Sequence, residues 1–143
     1  MDRYRSQVIE VINRNTVVSL ALDQGYNAYL PVYDGGVDFI LYRESDGDLR
    51  KVQLKGRWTI DRKYLERDIW VAFPIGDRWF LAPHDAMVKM GEARGYTRAA
   101  SWADKGNYSL PNPSADIRKA CEEYNFGNVE TIRSKTIAAG TEP

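Results

Sequence analysis

Apolar positions recur at helical spacing near the start of the chain and at strand spacing through its middle. Ile9, Ile12, Thr16 and Leu20 return every three or four residues, and Val8, Val11, Val17 and Ala21 broaden the stripe. Residues 5–23 are therefore predicted as an amphipathic helix. Gly25 follows its last turn, where a positive φ is inexpensive. Three extended segments come next, over 26–31, 36–42 and 49–58, the last two joined as a hairpin by the turn Ser45-Asp46-Gly47-Asp48. A second hairpin is predicted from 68–73 and 78–82 around Ile75-Gly76-Asp77, with Trp70, Val71, Phe73, Trp79 and Phe80 supplying bulk. Asp85 reads as the cap of a short helix through Val88 and Met90, ending near Gly91 or Gly95. Residues 101–113 are rich in turn formers and read as a loop. Ser114 or Asp116 then opens a helix running to about Tyr124. The pattern is α+β: a leading helix, a mixed central sheet of about five strands, and flanking helices. Residues 1–126 are expected to form a single domain, with 127–143 a flexible C-terminal tail.

Composition narrows the class without choosing a chemistry. With 143 residues, the chain can bury a core without staples. Its single cysteine, Cys121, excludes an intramolecular disulfide framework and fits a reducing compartment. Met1-Asp2-Arg3-Tyr4-Arg5 leads into no signal-like apolar run, and no stretch approaches membrane-spanning length. The expectation is a bacterial-type cytoplasmic protein without membrane association. Formal net charge is zero, which argues against coating nucleic acid by bulk electrostatics. Charge is nevertheless uneven, because residues 50–67 carry seven Lys or Arg against two acids, Asp61 and Glu66. Such a strip either tracks phosphates or is a solvated sheet edge whose cations discourage aggregation.

The chemistry sits on the first hairpin. Side chains alternate along a strand, so Gln53 and Lys55 share one face while Val52 and Leu54 take the other. On the preceding strand, Asp38 points opposite to Val37, Phe39 and Leu41. Pairing through the Asp46-Gly47-Asp48 turn lets a carboxylate, an amide oxygen and an ammonium converge. Phosphodiester hydrolysis needs an activated water, charge neutralisation on the phosphate and help for the departing oxygen. A hard divalent cation such as Mg²⁺ or Mn²⁺ takes oxygen ligands, usually one or two carboxylates, and keeps several waters. Asp38 would be the anionic ligand, Gln53 and the Leu54 main-chain carbonyl neutral ones, and Lys55 would orient or help activate the water. Replacing a carboxylate by Gln53 removes one negative charge and lowers cation affinity unless another acid or the substrate compensates. The competing reading is a polar hairpin face, with Gln53 and Lys55 in water and Asp38 paired to a neighbouring base.

From Gly25 to Asp85 the chain resembles the core of the PD-(D/E)xK nuclease superfamily in its Gln-x-Lys variant. The residues that carry the resemblance are Gly25-Tyr26 after a helix, Pro31, Gly36-Val37-Asp38, Val52-Gln53-Leu54-Lys55, then Asp68-Ile69-Trp70-Val71-Ala72-Phe73-Pro74 and Trp79-Phe80-Leu81-Ala82-Pro83. This order is similar to archaeal Holliday-junction resolvases and, more closely, to intron-encoded endonucleases. The resemblance implies an α/β/α restriction-endonuclease-like fold and an Mg²⁺-dependent deoxyribonuclease acting on DNA, with Asp38, Gln53 and Lys55 as its site. Members of this group usually carry a glutamate on the first helix about three turns before the Gly-Tyr pair. Here that position falls near Asn13-Arg14-Asn15, which has no acid. Glu10 lies one turn earlier on the face of Asn13 and Val17, and is either a substitute ligand or a surface glutamate. Asp34 is a spare carboxylate in the loop before Asp38.

Further residues complete the expectations. Arg57, Arg62 and Lys63 would hold phosphates, and Trp58 and Tyr64 either stack on unpaired bases or pack in the fold. His84, the only histidine, reads as structure at the start of a helix, and Cys121 as a small buried residue rather than a nucleophile. Trp70 and Trp79 are assigned to the core. If both strands of DNA are cut, a homodimer or homotetramer follows, because two strands need two sites. Its contact is expected on the aromatic second hairpin or the C-terminal helix. Two other readings compete with the endonuclease. One is a nuclease-fold protein without cleavage that serves as a nucleic-acid-binding or protein-interaction subunit. The other is an unrelated α+β domain.

Overall fold

The computed structural model describes residues 2–140, leaving aside the side chains of 131 and 136–140. The first helix, α1, spans Arg3–Asp23. Asp2 caps it, its carboxylate accepting the Arg5 N–H at 2.7 Å, and Gly25 at φ 90° turns the chain out of its last turn. Only the second half of the apolar stripe is fully used. Val17, Leu20 and Ala21 are buried, whereas Val11 and Ile12 stay about half exposed on a stretch that overhangs the sheet.

Strands β1 (Asn27–Tyr29), β2 (Phe39–Arg43) and β3 (Asp48–Leu54) follow as an antiparallel meander, with Phe39 opposite Val52 and Arg43 opposite Asp48. Next come β4 (Trp58–Asp61), β5 (Ile69–Ile75), β6 (Arg78–Pro83) and α2 (His84–Ala93). The chain continues through α3 (Ala100–Lys105), β7 (Asn107–Leu110), α4 (Ala115–Cys121), β8 (Asn125–Gly127) and α5 (Val129–Gly140). The main sheet runs β1-β2-β3-β5-β6-β8, with β3 and β5 parallel and the other neighbours antiparallel. β4 and β7 form a separate antiparallel pair.

Alternation along β5 and β6 feeds two cores. Ala72 and Leu81 join Val17, Leu20, Phe39, Leu41 and Val52 beneath α1, and Ile132 of α5 packs against them. Val71, Phe73, Phe80 and Ala82 face the other way, onto Trp58, Ile60, Met87, Ile117 and Cys121. A sheet buried on both faces explains why β5 reads as a nearly continuous apolar run. The result is the expected α+β arrangement, with α1 and α5 on one face and α2, α4 and the β4–β7 pair on the other. Among the described residues, no helix is long and apolar enough to cross a membrane.

Several boundaries differ from the sequence reading. The third extended segment does not run to Trp58. It ends at Leu54, turns through Gly56 and restarts as β4, because Trp58 and Ile60 are both fully buried in the second core and must leave the sheet to reach it. The main sheet has six strands, the extra one being β8. Residues 101–113 contain most of α3 and all of β7 rather than a plain loop. Asp85 does not cap α2: Pro83 occupies that position without a side-chain bond, and Asp85 sits in the first turn. Ser114 does cap α4, accepting the Ile117 N–H at 3.4 Å. Residues 129–140 are helical as α5, tied to α1 by Lys135 Nζ on Asp23 Oδ2 at 2.8 Å, while 141–143 lie outside the described residues.

His84 is a structural pin. It is wholly buried, its Nε2 accepts the Asp61 N–H at 3.0 Å, and its ring meets Tyr64 edge-on at 5.5 Å. Nδ1 stands 3.6 Å from Asp85 Oδ1 and makes no hydrogen bond. Burial holds the imidazole below its ordinary value, with the Asp85 carboxylate opposing. A base depressed by folding takes its proton first in the unfolded chain. Stability is therefore full above the unfolded value of about 6.5 and declines as pH falls below it toward the folded value. Urea midpoints should fall between pH about 7.5 and about 5.5, and the fall should shrink in His84→Gln.

Candidate active site

The site forms where β2 ends and β3 continues. At Phe39–Val52 the two strands are still paired. One residue earlier the Asp38 N–H donates to the Val52 carbonyl at 2.8 Å, and the Asp38 carboxylate accepts the Leu54 N–H at 2.7 Å. Asp38 is thus tied to β3 by main chain and side chain together. On the far side of β3 the Lys55 N–H donates to the Ala72 carbonyl of β5 at 2.9 Å, so the backbone carrying Gln53, Leu54 and Lys55 is held from both flanks.

Two clefts meet over this backbone. One, of about 200 Å³, is lined by Glu10, Val11, Arg14, Asp34, Asp38 and Leu54. The other, of about 240 Å³, is lined by Ser6, Ile9, Glu10, Asn13, Leu54, Lys55 and Gly56. Glu10 and Leu54 belong to both, so a single groove passes from Asp38 to Lys55 beneath the overhanging part of α1. Burial raises the Asp38 carboxyl above the usual carboxylate range, with Asp34 and Glu10 raising it further. The Leu54 N–H and the Lys55 ammonium act in the opposite sense. Glu10, Asp34 and Lys55 therefore all lie within electrostatic reach of Asp38.

Gln53 supplies the most telling atom. Its Oε1 is buried and accepts no hydrogen bond, an expensive condition for an amide oxygen. Among the described residues, no group of three or more His, Cys, Asp or Glu side chains stands ready to enclose a metal. A closed carboxylate cage is thereby ruled out for those residues. A carboxylate, an orphaned amide oxygen and a main-chain carbonyl instead suit an open oxygen site for a hard cation that keeps its waters.

The remaining candidates lie on the flanking segment. Arg57 is exposed beside Gly56. Arg62 turns its guanidinium toward the Ala103 carbonyl, at 3.4 Å, and packs over Gly106. Lys63 stands 3.7 Å from Asp61 and 5.2 Å from the Tyr64 ring centroid. Trp58 is core, as is Trp79, whereas Trp70 is partly buried with the Arg50 guanidinium 4.1 Å from its ring. Cys121 is buried and its thiol is pushed up to about 11, which removes it as a nucleophile.

Sequence reasoning did not place Arg14, Arg67 or Tyr64 at the site. Tyr64 is buried, with the Lys55 ammonium 5.5 Å from its ring centroid. Burial and the carboxylates of Asp61, Asp38 and Asp34 push its phenol up to about 12. Of the two sequence readings for Tyr64, stacking on bases or packing in the fold, burial fits the second; its place near Asp38 is what the sequence did not signal.

No family model matches this chain, and no curated protein matches it. A solved structure does. It is that of a bacterial homing endonuclease, I-Ssp6803I, at a TM-score of 0.52 and 15% identity, covering 96% of this chain and 99% of that one. The fold is nuclease-like. At this identity the likeness establishes shared architecture over nearly the whole length, well beyond the 25–85 stretch read from sequence.

The electrostatics of the groove can be read directly. In a carbon-13 NMR titration without metal, the Asp38 carboxyl should titrate above the ordinary value of about 3.9. It should move down in Asp34→Asn and in Glu10→Gln, which remove like charges, and up in Lys55→Met, which removes the opposing one. An unchanged Asp38 curve in all three variants would refute the grouping.

Proposed function

We propose that the chain is a metal-dependent endonuclease acting on DNA phosphodiester bonds. The observation that carries this reading is Asp38 held on the Leu54 N–H within electrostatic reach of Lys55, in adjoining clefts of a nuclease-like fold, with the orphaned Gln53 Oε1 on the same strand as Leu54. Asp38, Gln53 and the Leu54 carbonyl would hold Mg²⁺ or Mn²⁺, with Glu10 contributing from α1. The cation, when bound, supplies Lewis-acid charge to the phosphodiester and its water. The chain's own groups do the rest. Lys55 orients the attacking water and balances charge growing on the phosphate. The Leu54 N–H fixes the Asp38 carboxylate, and Arg57, Arg62 and Lys63 hold flanking phosphates.

Supercoiled plasmid with Mg²⁺ or Mn²⁺ tests the reading. Nicking should be present in the wild type and fall on the order of a hundredfold or more in Asp38→Ala and Lys55→Ala, with folding retained. A second reading draws on the missing acid at 13–15 and the exposed position of Glu10, which leave the cation few anionic ligands. On that reading the protein binds nucleic acid or a protein partner without cutting. It would then shift DNA in a gel without nicking, with or without metal.

We read residues 1–126 as one nuclease-like unit of a cytoplasmic protein that works as a homodimer or homotetramer. In the second hairpin Phe73, Trp79 and Phe80 are buried in the fold. The exposed run Leu30, Val32 and Tyr33 beside edge strand β1, together with Tyr4, Val11 and Ile12 of α1, is the apolar surface that fits a second copy. Light scattering should give a multiple of the chain mass that drops to one copy in Val32→Asp/Tyr33→Asp.

A further inference from the structure

Among the described residues, two other than glycine adopt left-handed backbone, and they flank a single arginine. Glu66 has φ 59° and Asp68 φ 55°, with Arg67 between them in the connection from β4 to β5. Side chains with a Cβ avoid this region, so the conformation persists only where surrounding contacts over-determine it. Those contacts are present. The Arg67 carbonyl accepts Lys51 Nζ at 2.6 Å, and the Glu66 N–H points at Asp85 Oδ1 at 3.4 Å.

The bend sends the Arg67 side chain across to the loop that delivers Asp38. Nη2 donates to the Gly35 carbonyl at 2.5 Å and Nη1 to the Lys63 carbonyl at 3.4 Å. Gly36, at φ 93°, gives the guanidinium room. A Cβ there would lie 3.1 Å from Arg67 Nη1 and 3.5 Å from the Tyr64 ring. Within the same loop the Asp34 carboxylate accepts the Gly36 N–H at 2.9 Å. The loop is therefore held from inside by Asp34 and flanked at Gly36 by the Arg67 guanidinium and the Tyr64 ring, which also faces the Lys55 ammonium.

We propose that Arg67 is a positioning residue for the metal-holding carboxylates. It clamps residues 34–36 so that Asp38 stays on the Leu54 N–H and Asp34 stays at the rim of the groove. The metal-binding consequence rests on the endonuclease reading; the clamp itself does not. A fork of N–H donors bridging two carbonyls, those of Gly35 and Lys63, is a geometry that an ammonium reproduces only in part.

The full chain is compared as wild type, Arg67→Ala, Arg67→Lys and Gly36→Ala, by amide hydrogen exchange and by calorimetric titration with Mn²⁺. Arg67→Ala should raise exchange selectively at residues 35–38 and weaken Mn²⁺ binding roughly tenfold or more, the range for removing a group that orients a ligand. Arg67→Lys should recover part of both, and Gly36→Ala, whose added Cβ would crowd the guanidinium at 3.1 Å at a positive φ, should loosen the same loop. If exchange at 35–38 in Arg67→Ala rises no more than in the rest of the chain, the clamp is wrong. If the loop loosens but Mn²⁺ affinity holds, positioning of the metal ligands is wrong. A wild type that takes up no Mn²⁺ overturns the metal site, and the exchange data still judge the clamp separately.

Discussion

One hydrogen bond organises the site: the Leu54 N–H given to the Asp38 carboxylate. Antiparallel pairing between β2 and β3 stops at Phe39–Val52, yet β3 continues because β5 still pairs along its other side. The next N–H facing β2 would be left without a partner in a partly buried place, a condition folded proteins avoid. Asp38 resolves this by offering a side chain where the strand no longer offers a carbonyl. Its carboxylate is thereby fixed at the point where two strands part and a groove opens. The parting of the strands and the placing of the acid are one event.

That arrangement explains why the hairpin was legible from sequence and much around it was not. Alternation of Val52 and Leu54 with Gln53 and Lys55 is local, so the face they share follows from the strand period alone. β4 is different. Its apolar residues continue the run of β3 without a break in pattern, and only the need to fill the second core with Trp58 and Ile60 forces the chain out of the sheet. α3 and β7 are too short to carry a period; β7 owes its form to pairing with β4, and α3 to packing on β7 with Trp102 in the second core. Arg67 was illegible for another reason. Left-handed backbone usually announces itself through glycine, whereas Glu66 and Asp68 hold it by tertiary contacts.

Electrostatics give the groove a direction. A chain of zero net charge concentrates cations in 50–67 and sets acids from three separate segments beside them: Glu10 on α1, Asp34 in the loop and Asp38 at the strand end. Gathering like charges around a buried carboxylate opposes its ionisation, which is why Asp38 lies above the usual range. Lys55 offsets part of that repulsion, and Arg14 lines the same cleft. A divalent cation held there would offset that repulsion and favour the ionised carboxylate. Phosphates approaching along the basic flank would meet compensating charge rather than the acids alone.

Gln53 then makes sense as a compromise between charge and geometry. A glutamate there would add another anion near a carboxyl that Asp34 and Glu10 already raise. An apolar residue would leave a cation one oxygen short. The neutral amide supplies an oxygen without charge, at the cost of burying that oxygen unpartnered, an expense of about 1–3 kcal/mol. The unpartnered oxygen and the raised carboxyl lie on neighbouring strands, and one ion with affinity for hard oxygen would relieve the two together.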